Sequence, residues 1–302
     1  LLSPSPVRPG TAGPLFPAPL RGSNRGLQRG PFKASGRLLD NVPSEDSPLL
    51  LDGLTVRYGS VVAVEDLSLE VRSGEIYGLL GSNGAGKSST IKSVVGLVKP
   101  TGGRVRVFGW DPQTDSLPVK ERVGYVPETQ MLYDALTPRE FLEFVASVRR
   151  LDMTAVHRRV REFLEAFQMW EEVDRPISTL SNGTRQKTLL IAALIHRPSL
   201  LVLDEPFNNL DPRSVRIMKD LLTSYVRSGE RAALFSTHTM EVAQQLCHRI
   251  GILDHGRLVG EGTLADLQSR IRNDRASLED VFLKVTSEEE EVARAVRALE
   301  EE

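Results

Sequence analysis

Hydrophobic and polar positions fall into different rhythms along the chain. From Leu49 onward the rhythm is two: Leu54, Val56 and Tyr58 are interleaved with Thr55 and Arg57, and Leu67, Leu69 and Val71 with Ser68, Glu70 and Arg72. That period predicts strands with one face in a core. Arg104–Phe108 alternates again after the turn Thr101-Gly102-Gly103, and Val123–Val126 is an apolar run closed by Pro127. In the middle the rhythm becomes helical. Phe141, Leu142, Val145 and Val148 share one face, as do Val156, Val160, Phe163, Leu164 and Phe167. Later, the apolar runs Leu200–Leu203, Ala232–Phe235 and Ile250–Leu253 alternate with helical segments. One of these starts at Asp211-Pro212, an N-cap followed by proline at the first helical position. It carries Val215, Met218, Leu221, Leu222 and Tyr225 as a stripe and ends before Gly229. A helix through Val242–Leu246 and a turn at Asp254-His255-Gly256 complete the pattern. The expectation is an α/β chain folded over 49–285, opening mostly β, with a helical segment inserted at about 129–185.

The two ends read differently. Residues 1–46 are rich in Pro, Gly, Ser and Arg, without apolar periodicity. Such composition cannot bury enough surface to offset ordering entropy, so this leader is expected to be disordered. Arg8, Arg21, Arg25, Arg29, Lys33 and Arg37 all precede Asp40. That pattern also suits an organelle transit peptide, a solvated tail, or sequence upstream of the true start. At 286–302, Val292, Val296 and Leu299 lie on one side among glutamates, which suits an acidic tail or a short helix.

Composition adds limits. The chain has 302 residues, 40% hydrophobic and 26% charged, as in ordinary globular proteins. A formal net charge of −2 gives no global reason to expect nucleic acid or an anionic membrane as partner. The single cysteine, Cys247, excludes an intrachain disulfide and reads as a small apolar packing residue. No apolar run approaches the about 18 residues a membrane-spanning helix requires.

The chemistry centres on Gly81–Ser89, which reads GSNGAGKSS between an apolar strand and a helical segment. Strand, glycine-rich turn, helix is the context of a phosphate-binding P-loop. Gly81, Gly84 and Gly86 let the backbone of Ser82, Asn83 and Ala85 wind tightly and turn its N–H groups inward, and the helix adds its positive end. Lys87 is expected to reach the β- and γ-phosphates and Ser88 to ligate Mg²⁺, with Ser89 beside it. A glycine-rich turn with an incidental lysine would look the same locally. The run Leu200–Leu203, however, delivers Asp204 and Glu205 to a strand's carboxyl end, where ligands sit in open α/β sheets. Asp204 can hold Mg²⁺ through water, and Glu205 can take a proton from the attacking water or orient it.

With these features in place, residues 49 to about 285 resemble the ATP-binding cassette (ABC) ATPase domain. Gly81–Ser89 matches Walker A and Leu200–Glu205 Walker B. Leu180-Ser181-Asn182-Gly183-Thr184 resembles the signature LSGGQ, Asn209-Leu210-Asp211 the D-loop, and Ser236-Thr237-His238 the switch-histidine loop. The resemblance implies a P-loop NTPase core: a mixed sheet with flanking helices, an antiparallel β subdomain and an inserted α-helical subdomain. It implies that Tyr58 stacks on adenine and that His238 contacts the γ-phosphate. Ser181 and Gly183, at a helix start, would cap ATP bound to a second copy of the chain or a paralogous subunit, in a head-to-tail dimer, and Asp211 of the D-loop is expected among the ATP-binding residues. His157, His196, His248 and His255 receive no role.

Three departures stand out. The signature carries Asn182 and Thr184, the D-loop starts at Asn208, and the position expected to hold the Q-loop glutamine is Glu128, with Gln130 nearby. Glu128 brings charge to the metal side of the site. Gly124-Tyr125-Val126-Pro127-Glu128 and Ser277-Leu278-Glu279-Asp280-Val281-Phe282-Leu283 resemble ATP-binding subunits of bacterial drug, polysaccharide or sodium exporters, whose membrane subunits are separate chains. The expectation is therefore an ATPase on the cytoplasmic face of the cell membrane, partnered by an integral membrane subunit and by no nucleic acid. A soluble ABC ATPase acting on ribosomes or DNA, or a degenerate regulatory cassette, are the alternatives.

Overall fold

A computed structural model describes residues 47–286; the expectations for the leader 1–46 and for nearly all of the acidic segment 286–302 lie outside them. Nine strands and nine α-helices are found among the described residues. Strand β1 (Leu49–Tyr58) pairs antiparallel with β2 (Val61–Val71) and with β4 (Gly102–Arg106), giving a three-stranded sheet. The second sheet has six strands in the order β5 (Val123–Val126), β6 (Leu200–Asp204), β7 (Ala232–Thr237), β3 (Ile76–Leu80), β8 (Arg249–Asp254) and β9 (Arg257–Gly262). All its pairings are parallel except β8–β9.

The apolar runs of β3, β6 and β7 have no solvent side. Val202, Leu234, Tyr77 and Leu79 face a core shared with Leu51, Leu54, Val64 and helix α1 (Lys87–Val94). Their neighbours Ile76, Leu201, Leu203, Ala233 and Phe235 face the opposite core. That core is filled by helices α3 (Pro138–Val148), α4 (Met153–Ala166), α5 (Asn182–Leu194) and α6 (Pro212–Val226). Alternate residues thus enter different cores, so every position is apolar and the period of two vanishes from the sequence. A third cluster joins Leu80, Ile250 and Ile252 to α7 (Met240–Leu246), α8 (Leu264–Arg270) and α9 (Leu278–Val285).

The elements expected from the pattern are present, with bounds that shift. Strand β2 begins six residues before Leu67, and β4 ends at Arg106, after which Val107 bridges back to Trp110. Helix α2 (Ser116–Arg122) is an addition: among its residues only Val119 is buried. Cys247 is half-buried, its Sγ seated against Gly78 where a Cβ would come within 2.5 Å. His248, given no role above, accepts the Ile76 N–H at 3.0 Å.

Candidate functional site

Four neighbouring parallel strands, in the order β5, β6, β7, β3, bring their carboxyl ends to one edge. Each is followed by polar residues singled out above: Glu128 after β5, Asp204 and Glu205 at β6, Ser236 to His238 at β7, and Gly81–Lys87 after β3. The sheet order therefore gathers what the sequence spreads over some 160 positions.

The glycines of the loop are sterically required at two points. A Cβ on Gly81 would stand 2.5 Å from the Leu253 carbonyl, and one on Gly86 would stand 2.4 Å from the Ala63 carbonyl. Gly86 also has φ 105° and caps α1 without a side chain, and no acid occupies the first turn. The first N–H groups of α1 therefore stay available to an anion. The cavity beneath them, about 220 Å³, is lined by Asn83, Gly84, Gly86, Lys87, Ser88, Ser89, Ala63, Glu128 and Glu205. Ser82 and Ala85 brace the loop: Ala85 N–H donates to the Ser82 carbonyl, and the Gly256 N–H donates to the Ala85 carbonyl.

Lys87 is buried and donates to the carbonyls of Gly81 at 2.8 Å and Ser82 at 3.1 Å. Its Nζ also lies 3.4 Å from Glu205 Oε1, which in turn lies 3.0 Å from His238 Nδ1. Glu205 is itself buried and holds a left-handed φ of 48°, a conformation a side chain adopts only when its surroundings fix it. Its N–H donates to Ser236 Oγ at 2.9 Å, and the Ser236 hydroxyl donates to Asp204 Oδ1 at 2.6 Å. Ser88 Oγ lies 3.2 Å from both Asp204 Oδ1 and Glu128 Oε2. One hydroxyl proton serves only one of them at a time.

Three carboxylates, Asp204, Glu205 and Glu128, thus share the site with one lysine and the half-exposed His238. Burial holds the Asp204 carboxyl above its usual range against the hydrogen bonds from Ser236 and Ser88, and Glu128 and Glu205 push the same way as burial. Asp204 Oδ2 is buried with no hydrogen-bond partner. An orphaned carboxylate oxygen beside a serine hydroxyl and a second carboxylate is a hard-oxygen donor set, which fits magnesium. Among the described residues no group of three or more His, Cys, Asp or Glu could hold a metal by itself. Magnesium sites of this kind are completed by substrate phosphate oxygens.

The signature residues form a second cluster. Ser181 caps α5, accepting the Thr184 N–H at 3.2 Å. A Cβ on Gly183 would stand 2.8 Å from the Asn209 carbonyl, so the glycine lets the signature touch the chain's own D-loop. The Asp211 carboxylate is engaged by Ser214, whose N–H and hydroxyl donate at 2.9 and 2.6 Å, and by Lys187 at 3.2 Å. These bonds hold its carboxyl well below the usual range. Tyr58 stands apart at the end of β1, half-exposed.

Two glutamines overlooked as site residues join the clusters. Gln130 Nε2 donates to the Asn182 carbonyl at 2.9 Å and to Gln186 Oε1 at 3.2 Å. The buried Gln186 donates to the Pro206 carbonyl, next to Glu205. The side chain two places after Glu128 thus ties β5 to the signature helix. Ser236, named above only as part of the switch-histidine loop, also links Asp204 to the Glu205 N–H; the hydroxyl closing the apolar strand AALFST is the sequence signal for it.

Comparison with known proteins fixes the family. A family model described as ABC transporter matches residues 64–208. The uncharacterized ABC transporter ATP-binding protein YhaQ of Bacillus subtilis is 33% identical over 220 residues, 73% of this chain and 72% of that one. The chain belongs to the ABC transporter family. It is an ATP-binding subunit, and subunits of this kind are ATPases that work with membrane subunits. The Nod factor export ATP-binding protein I of Burkholderia lata is 35% identical over 216 residues, 72% of this chain and 71% of that one. A solved ATP-binding subunit of an ABC transporter superposes with a TM-score of 0.76 at 30% identity, covering 80% of this chain and all of that one. These relatives favour the transporter over a ribosomal or regulatory ABC protein. Among the described residues of this ABC subunit, no helix is long and apolar enough to cross a membrane.

Proposed function

We propose that this subunit hydrolyses ATP between its own P-loop and the signature of a second subunit, and that closure of this pair drives export through a separate membrane protein. The observation that carries the reading is the meeting of Lys87, Glu205 and His238 at one carboxylate oxygen, Glu205 Oε1, at 3.4 and 3.0 Å.

Lys87 has three donors, two on loop carbonyls and one toward Glu205. A bound triphosphate offers stronger acceptors, so Lys87 turns to the β- and γ-phosphates and releases Glu205. Glu205 then accepts the proton of the attacking water or orients it, and His238, held by Glu205, contacts the γ-phosphate. The N–H groups of 82–88 stabilise charge on the phosphate oxygens without moving. Ser88, Asp204 and Glu128 would hold Mg²⁺, which neutralises phosphate charge when bound. The cavity of about 220 Å³ is smaller than sites that enclose a whole drug-sized ligand. It suits the phosphates, leaving the base outside against Tyr58 and the γ-phosphate open to the Ser181–Gly183 helix start of a partner copy.

The segment 129–185, which carries α3 and α4, is the proposed contact for the membrane subunit, and that contact would keep the chain at the cytoplasmic face of the membrane. The domain is proposed to span 49–285. Export rests on the relatives' names and on the stretches around Glu128 and Asp280. Glu205→Gln tests the core of the proposal: turnover falls by at least about 10²-fold, as for loss of a general base, while ATP binding persists. Hydrolysis at the wild-type rate would remove Glu205 from the mechanism.

A further inference from the structure

A cleft of about 550 Å³ opens at the amino ends of β6 and β7, opposite the edge that carries the P-loop. Arg159 enters it from α4, Arg197 from the turn before β6 and Arg231 from the residue before β7. Phe163, Leu194 and Tyr225 supply apolar wall.

The arginines are held rather than dangling. Arg159 Nε donates to the Ala155 carbonyl at 3.2 Å, and its Nη1 donates to the Ile195 carbonyl. Its other terminal nitrogen has no partner among the described residues. The Arg231 guanidinium lies 5.2 Å from the centre of the Tyr225 ring, and the Tyr225 hydroxyl donates to the Pro198 carbonyl at 2.6 Å. Arg197 is exposed and left-handed, with φ 54°. None of the three is ion-paired with a carboxylate among the described residues, including Glu162 on the cleft's wall. Burial, with Arg197 and Arg158 close by, holds the Arg159 guanidinium below its usual range against the opposing pull of Asp152 and Glu162. Neighbouring His196 feels the same field: burial, then Arg149 and Arg159, push its imidazole down to about 4 against its bond to the Val123 carbonyl.

Three like charges on one cleft, with Glu162 on the wall and Asp152 nearby as counter-charges that form no ion pair with them, are a standing cost that a shared anion relieves. Guanidinium forks match phosphate in geometry and stay charged at any working pH. The aromatic and leucine walls suit an apolar body, and the volume is that of a small-molecule site. We propose that the cleft is a second anion site, separate from the ATP site, which binds the phosphate of a partly apolar organophosphate between Arg159, Arg197 and Arg231. The phosphate belongs either to a free small molecule or to a lipid headgroup. The placement gives such a ligand leverage. Helices α5 and α6 and strands β6 and β7 run from the cleft to the signature, the D-loop, Walker B and the switch histidine.

The test uses the full chain carrying Lys87→Ala, which silences the P-loop phosphate site. Phenyl phosphate is titrated calorimetrically, and in parallel the protein is sedimented with phosphatidylcholine vesicles doped with phosphatidic acid. Binding in either arm should weaken at least about tenfold in Arg159→Gln/Arg197→Gln/Arg231→Gln and fall with added salt. Arg197→Gln alone, at an exposed position that leaves packing intact, should weaken it about threefold. Response to phenyl phosphate assigns a free ligand; response to vesicles alone assigns a headgroup. The leader's arginines are common to all variants, so the comparison isolates the cleft. No binding in either arm, or binding indifferent to the substitutions, overturns the proposal.

Discussion

Glu205 is acted on from four directions: a left-handed backbone, the Lys87 ammonium, the His238 ring and, through its N–H, the Ser236 hydroxyl. Ser236 is the least replaceable of these for geometry, because it also donates to Asp204. In Ser236→Ala a fully buried N–H and carboxylate each lose a partner, at about 1–3 kcal/mol per group. A lowered denaturation midpoint is expected, together with a kcat reduced more than KM is raised. Ser236→Thr, which restores the hydroxyl, should recover both; an alanine variant with wild-type kcat and stability would contradict this role. The residue types that carry chemistry were legible in the sequence because each closes an apolar run: Gly81 after Ile76–Leu80, Asp204 and Glu205 after Leu200–Leu203. The linking roles of Ser236, which also closes an apolar run, and of Gln186 were not, since a hydroxyl or amide becomes a linker only when another strand or loop lies beside it. The Asp211 carboxylate is a different case. Its place as an N-cap was readable from Asp-Pro, and Ser214 and Lys187 engage that same carboxylate.

At the scale of elements, strands buried on both faces and amphipathic helices were readable, whereas α2, β9 and α8 were not. Helix α2 buries only Val119 and α8 only Leu267, so neither prints a stripe. Strand β9, RLVGEG, has only Gly260 buried and owes its existence to pairing with β8. Helix α9 could have been found: Ser277 and Asp280 form a capping box, and Leu278, Val281 and Phe282 repeat at helical spacing. The boxes make α8 and α9 acid-labile. Asp266 accepts from Thr263, and Asp280 accepts from Ser277, through the cap residue's hydroxyl and N–H. These bonds hold both carboxyls below their usual range. A depressed folded pKa means that the unfolded chain binds more protons, so the contribution is complete above the unfolded value of about 3.9 and is lost as pH falls through the folded one. Amide exchange in α8 and α9 should therefore quicken on going from pH 5 to about 3 relative to the parallel strands, after correction for intrinsic rates. Asp266→Asn and Asp280→Asn should flatten that dependence; an unchanged dependence in the variants would assign the acid effect elsewhere.

For the whole molecule, the sheet order places one complete P-loop edge and one signature in each chain, tied to each other among the described residues through Gln130 and Gln186 and through the D-loop contacts of Gly183 and Lys187. The signature's helix start meets the chain's own D-loop, through Gly183 and Asn209, and among the described residues Ser181 bonds to Thr184 and not to Lys87 or Ser88. The proposed function has these halves shared between two copies, in the reciprocal contact of a two-fold dimer. Two inactive variants test this most directly. Lys87→Ala removes the phosphate lysine and keeps the signature. Ser181→Asp keeps a competent helix cap but repels the partner's γ-phosphate, and keeps the P-loop. Each alone should hydrolyse ATP at least about 10²-fold more slowly than the parent. Mixed in equal amounts, they should recover about a quarter of the parental rate, since half the dimers are mixed and each contains one intact composite site. A mixture no more active than its components would contradict the shared site and, with it, the account of how this ABC subunit uses ATP.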